Sequence, residues 1–132
     1  QLLAESDVVS LHLPATPETN GLFNRETFAK MRRGSVLLNT ARGSLVVERD
    51  LLDALNSGQL SGAGLDVFER EPPDPANPIL HHPNVVSTPH LAGIDSKSME
   101  DMATLAARCM VDVYQGRWPV ECMVNREVAK TS

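Results

Sequence analysis

The sequence predicts an α/β fold on a largely parallel sheet. Period-2 and continuous apolar runs alternate along it with stretches of helical periodicity. Strand–helix–strand order implies crossover connections, which wind such a sheet in one direction. The strands read as apolar without interruption, as expected where helices cover both faces.

The elements follow in order. Val8 to Leu13 is a short β-branched strand stopped by Pro14. Thr16-Pro17-Glu18-Thr19-Asn20-Gly21 is turn chemistry. Asn24 can cap a helix from Arg25 to Met31, with Phe28 and Met31 on one face and Gly34 beyond its end. Val36 to Asn39 is a second strand. Leu51, Leu52 and Leu55 recur at helical spacing between Glu48 and Asn56, and Ser57-Gly58 supplies the stop. Ala63 to Phe68 reads as the third strand. Pro72, Pro73, Pro75, Pro78 and Pro83 then exclude a long helix or a central strand. Asn84 to Ser87 is a short fourth strand closed by Pro89. The longest helix spans about Asp95 to Gln115, with Met99, Met102, Ala103, Ala106, Cys109, Met110 and Val113 as its apolar stripe.

Composition narrows the function. The 132 residues carry 12 Lys+Arg against 17 Asp+Glu, a net charge of -5 that argues against a nucleic-acid surface. Hydrophobic residues make up 42% and charged residues 22%, the balance of an ordinary globular domain. No apolar run approaches the ~20 residues of a membrane span, and no basic-then-apolar leader precedes the first strand. Cys109 and Cys122 form no CxxC pair, so the expectation is a reducing cytoplasm, with Cys109 an inert buried thiol.

In a parallel sheet, ligands sit at the carboxyl ends of the strands. Arg42 follows the second strand, Asp66 and Glu71 lie at and beyond the third, and His90 follows the fourth, at separations of 24, 5 and 19 positions. A cation, carboxylates and an imidazole on one sheet edge suit reduction of a carbonyl next to a carboxylate. Arginine's planar fork can hold the carboxylate and polarise the carbonyl oxygen. A histidine can donate a proton to that oxygen, and a neighbouring carboxylate fixes its tautomer.

Three motifs carry a family resemblance: Asn39-Thr40-Ala41-Arg42-Gly43, Gly64-Leu65-Asp66-Val67-Phe68-Glu69-Arg70-Glu71-Pro72, and Asn84 to Gly93 with Thr88-Pro89-His90 at its centre. With Ser6 to Pro14 and Thr16 to Thr19 upstream, they resemble the D-isomer-specific 2-hydroxyacid dehydrogenases, the family of phosphoglycerate dehydrogenase and glyoxylate/hydroxypyruvate reductase. The resemblance implies an NAD(P)-dependent oxidoreductase that interconverts a D-2-hydroxy acid and a 2-keto acid. Arg42, Glu71 and His90 are then catalytic. Leu13, Pro14, Thr19, Thr40, Ala41, Arg42, Asp66, His90 and Gly93 would contact NAD or NADP, Asp66 at the nicotinamide end.

The resemblance also implies an incomplete chain. Residues 1–93 correspond to the second half of a Rossmann-like doubly wound sheet, without the Gly-rich phosphate turn. Gly62-Ala63-Gly64 precedes a strand and is no substitute for that turn. Residues 94–132 would be a C-terminal helix and tail returning to a substrate domain outside the sequence, in a full-length homodimer.

Single residues read more plainly on their own. Arg42 alone suggests a surface residue, and Glu71 a solvated carboxylate with Glu69 as competitor; the full motifs favour Arg42 and Glu71. His12 is expected to pack within its strand, His81-His82 to be a solvated loop, and Trp118 to anchor against another domain. Two other classes stand beside the enzyme: a non-catalytic dinucleotide-sensing relative of the C-terminal binding protein corepressors, and an inactive remnant. A cofactor-oxidation assay with glyoxylate, hydroxypyruvate and pyruvate separates the enzyme from the corepressor. The chain alone is expected to bind NADH poorly, and micromolar binding by calorimetric titration would overturn that.

Overall fold

The computed structural model describes residues 1–129, in two compact units: Gln1–Ala92 and a second from Gly93 onward. In the first, α1 (Leu2–Glu5) leads into β1 (Val8–Leu11), followed by α2 (Arg25–Lys30), β2 (Ser35–Asn39), α3 (Glu48–Asn56), β3 (Leu60–Leu65) and β4 (Val85–Ser87). All strands are parallel and lie in the order β1-β2-β3-β4. Sequential neighbours in one parallel sheet are what right-handed crossovers produce.

One row of side chains crosses the whole sheet, because Val9 pairs with Leu37, Leu37 with Ala63 and Ala63 with Val85. That face carries the core. Val9, Leu11, Leu37, Ala63 and Leu65 join Phe28 and Met31 from the α2 region and Leu51, Ala54 and Leu55 from α3 in one buried cluster. α2 is held at its start as its sequence requires: the Asn24 side chain accepts the N–H groups of Glu26 and Thr27 at 3.0 and 3.2 Å.

Within this unit the two faces of the sheet differ in burial. Val8 and Ser10 are exposed, Val36 and Leu38 only half-buried, and Val86 is 74% exposed. Both α2 and α3 contribute to the same buried cluster, so the strands alternate between a covered and a more open face. Strand three also differs, running from Leu60 to Leu65 instead of Ala63 to Phe68. Ser61 and Gly62 are weak strand formers that hid its start. Val67 and Phe68 are buried loop residues, so their apolarity reports packing and not pairing. Strand one stops at Leu11 because its partner β2 ends opposite, at Asn39. His12 is therefore exposed; it does not pack, and its Nε2 lies 2.9 Å from Ser10 Oγ.

The second unit is built on α4 (Ser96–Tyr114), with Asp95 and Ser98 forming a reciprocal capping box. None of its residues is buried, and Cys109, expected in a core, is half-buried. No described helix is long and apolar enough to cross a membrane.

Leu37 is fully buried in the middle of the sheet. Leu37→Ala should cost about 2–5 kcal/mol of unfolding free energy in a urea titration. Val86→Ala, on the open face, should change it by less than about 0.5 kcal/mol.

Candidate active site

The carboxyl ends of the strands are shaped by side chains that bind backbone. At the end of β2, buried Asn39 takes the Ala41 N–H on its Oδ1 at 3.1 Å and donates from Nδ2 to the Arg42 carbonyl at 2.9 Å. This side-chain turn brings the chain out of the sheet. Arg42 stands exposed beyond it, with Nη1 donating to the Ala41 carbonyl at 2.6 Å. Its other guanidinium donors make no hydrogen bond among the described residues.

Asp66 follows β3 directly and is 3% exposed. Its carboxylate accepts from Thr88 Oγ1, from the Leu91 N–H at 2.7 Å and from the Ala92 N–H at 2.8 Å. Its carbonyl accepts the His90 N–H at 2.9 Å. Four bonds from one residue thus hold the loop after β4. They hold it in an unfavourable shape, since His90 has φ +58°, a left-handed conformation that costs a side-chain-bearing residue about 1–2 kcal/mol. Histidine is among the residue types enriched there, but such a conformation persists only where the surroundings over-determine it.

The loop presents His90 to Glu71, with Nδ1 2.8 Å from Glu71 Oε2. Glu71 Oε1 accepts the Phe68 N–H at 3.1 Å, closing the turn 68–71 on itself. The bonds from His90 and Phe68 hold the Glu71 carboxyl below its ordinary range, outweighing a smaller upward push from burial. For Asp66, burial pushes upward most strongly, but the bonds from Thr88, Ala92 and Leu91 and the nearby His90 together bring the carboxyl below its ordinary value. Glu71 is therefore ionised at neutral pH and can only accept, so the shared proton sits on His90 Nδ1. That leaves Nε2 as the ring position free to exchange a proton.

The Arg42 and Glu71 segments meet at Gly43. A Cβ on Gly43 would lie 1.9 Å from the Phe68 carbonyl oxygen and 2.6 Å from the Glu69 nitrogen. Only glycine permits that approach. Leu13, Pro14, Ala41 and Arg42 line one open cleft of about 600 Å³, together with His12 and Ala15. Thr19 Oγ1 donates to the Pro14 carbonyl at 2.8 Å and so braces that wall. Thr40 is exposed just past β2, and Gly93 opens the second unit.

Glu69, the rival of Glu71 in the sequence, makes no bond to His90, and its carboxylate accepts the Glu48 N–H instead. Thr88, Asn39 and Gly43 carry tasks that the sequence alone does not reveal. Asn39 was detectable only as a turn-forming residue at a strand end. The partners of Thr88 and Gly43 come from distant segments and left no local signal.

The Asp66 and Glu71 carboxyls both have lower values in the folded chain than in the unfolded one. The stability they contribute is present above about pH 4 and is lost as the pH falls through the folded values. Urea-unfolding free energy should therefore hold between pH 7 and 5 and decline below about pH 4. Asp66→Asn replaces an acceptor by a donor facing a backbone N–H. It should cost about 1–3 kcal/mol at pH 7 and weaken the acid dependence. Wild-type stability in that variant would contradict the anchoring role.

Comparison with known proteins follows the same lines. Residues 1–92 match the model of the D-isomer specific 2-hydroxyacid dehydrogenase, NAD binding domain. The glyoxylate reductase of Thermofilum pendens is 45% identical over 98% of this chain and 38% of its own length. The TT0316 protein of Thermus thermophilus superposes with a TM-score of 0.85 at 50% identity, covering 89% of this chain and 38% of that one. The D-isomer specific 2-hydroxyacid dehydrogenase of Lactobacillus delbrueckii ssp. bulgaricus, in its NAD complexed form, gives 0.83 at 32% identity over 89% of this chain and 40% of that one. The chain thus spans about two-fifths of the length of these relatives. With strand order, site motifs and family model in agreement, the chain belongs to the NAD-binding domain family of the D-isomer specific 2-hydroxyacid dehydrogenases.

Proposed function

We propose that this chain is the catalytic half of the nucleotide domain of an oxidoreductase that interconverts a D-2-hydroxy acid and a 2-keto acid. The observation that carries the reading is the 2.8 Å bond between His90 Nδ1 and Glu71 Oε2, on a loop held by Asp66 at the carboxyl end of a parallel sheet. Such a pair orients an imidazole and leaves Nε2 to do acid–base work.

The cleft beyond β1 and β2 suits a nicotinamide dinucleotide. Leu13, Pro14 and Ala41 give it an apolar wall for a planar ring, and Arg42 adds a cation for an acidic substrate. Thr19, Thr40, Asp66, His90 and Gly93 complete the proposed contacts. When bound, NAD or NADP supplies or accepts the hydride. Arg42 holds the substrate carboxylate and polarises the neighbouring carbonyl. His90 gives its Nε2 proton to the carbonyl oxygen in reduction and takes it back in oxidation. Glu71 keeps the ring in register and stabilises the imidazolium formed on the oxidative side.

Residues 94–132 belong, in this proposal, to the part of the enzyme that carries the substrate domain. In support, α4 leaves Met99, Met102, Met110 and Val113 more than half exposed, a stripe that suits a covering partner. A cytoplasmic location and a homodimer belong to the same proposal, on the strength of the cysteine usage and the family pattern.

In the protein that carries this chain, His90→Ala should lower reduction of glyoxylate, hydroxypyruvate or pyruvate by at least about 100-fold. The dissociation constant for the dinucleotide should move by less than about threefold, a change under 1 kcal/mol. Undiminished turnover would defeat the assignment.

A further inference from the structure

Glu48 and Glu69 have no task in the proposed chemistry, yet both carboxylates are bound. Val47, the N-cap of α3, offers no side-chain acceptor to the free N–H groups of the helix. Glu69, 21 residues beyond Glu48, supplies it: Oε1 accepts the Glu48 N–H at 2.7 Å. Glu48 reciprocates, its Oε1 accepting the Glu69 N–H at 2.7 Å. Its second oxygen accepts from Asn77 Nδ2 at 2.7 Å, tying in the proline-rich segment.

Glu69 lies inside the turn that carries Glu71. The Phe68 N–H binds Glu71 Oε1, and the Phe68 carbonyl rests against Gly43. The Glu71 side chain is 38% exposed, so packing alone does not place it. Its position comes from the backbone of residues 68–71, and that backbone is fastened to the start of α3 through the two reciprocal bonds. We propose that Glu48 and Glu69 form a clamp that positions Glu71 against His90. They are positioning residues: neither touches His90, and both act through the turn. The clamp stands on geometry alone; only its kinetic consequence rests on the proposed dehydrogenase reading.

Substitution of Glu69 separates this role from plain electrostatics by sign. Removing a nearby negative charge would by itself lower the Glu71 titration further. Releasing the turn weakens the bonds from Phe68 and His90 that depress it, and raises it. His90 and Asp66 are the other charged or titratable groups acting on Glu71 and stay unchanged in the variants. The test follows the Glu71 side-chain carboxyl by carbon NMR across a pH titration, with turnover measured on the same proteins. Glu69→Ala should raise the Glu71 midpoint and lower kcat by about tenfold or more, with KM for the keto acid within about twofold. Glu69→Gln, whose amide oxygen can still accept the Glu48 N–H, should leave the midpoint at or below the wild-type value and recover most of kcat. If Glu69→Ala does not fold, Glu69→Asp, one methylene too short to reach Glu48, should give the same rise. A folded Glu69→Ala or Glu69→Asp protein with an unmoved or lowered Glu71 midpoint would overturn the clamp. A wild-type protein without reductase activity would instead defeat the functional reading, while the Glu71 midpoint still decides the clamp.

Discussion

The site depends on Asp66. Buried at the end of β3, a carboxylate with no partners would be expensive. Here it takes three donors from residues 88–92, and its own carbonyl takes a fourth. Those bonds do two things at once: they satisfy a charge that burial would otherwise neutralise, and they pin His90 in a backbone conformation it would not adopt alone. The same four contacts offset both the cost of burying Asp66 and the strain at His90.

Around that anchor the other parts are set by backbone approach. Asn39 turns the chain after β2 so that Arg42 emerges. Gly43 lets the same loop lie against the carbonyl of Phe68, and the Glu48–Glu69 bonds fasten the next residue. Arg42, Glu71 and His90 follow three different strands, β2, β3 and β4, and no packed core surrounds them. Rigid elements and side-chain-to-backbone bonds do the positioning that packing does elsewhere, so the functional groups can stay exposed to a ligand.

Much of this was legible in the sequence. α3 runs from Glu48 to Asn56 as its leucine spacing predicts, and Asn24 caps α2. The order of strand ends puts Glu71 and His90 on one sheet edge, and the family motifs imply their pairing. What escaped reading was non-local. Leu60, Ser61 and Gly62 form strand only because β2 lies beside them. Val67 and Phe68 looked like strand because burial and pairing leave the same apolar mark. Which face of a strand packs on α2 and α3 could not be read either, since half-buried Val36 and Leu38 are as apolar as buried Leu37. The partners of Glu69 became visible only once the chain had brought positions 21 residues apart into contact.

The tautomer of His90 reports all of these constraints together. If Asp66 holds the loop and the turn at residues 68–71 holds Glu71, the neutral ring carries its proton on Nδ1, directed at the carboxylate. Nitrogen NMR of the His90 side chain, recorded where the ring is uncharged, measures this directly. A protonated Nδ1 and a bare Nε2 are expected in the wild-type chain. A ring protonated on Nε2, with Nδ1 bare, would contradict that.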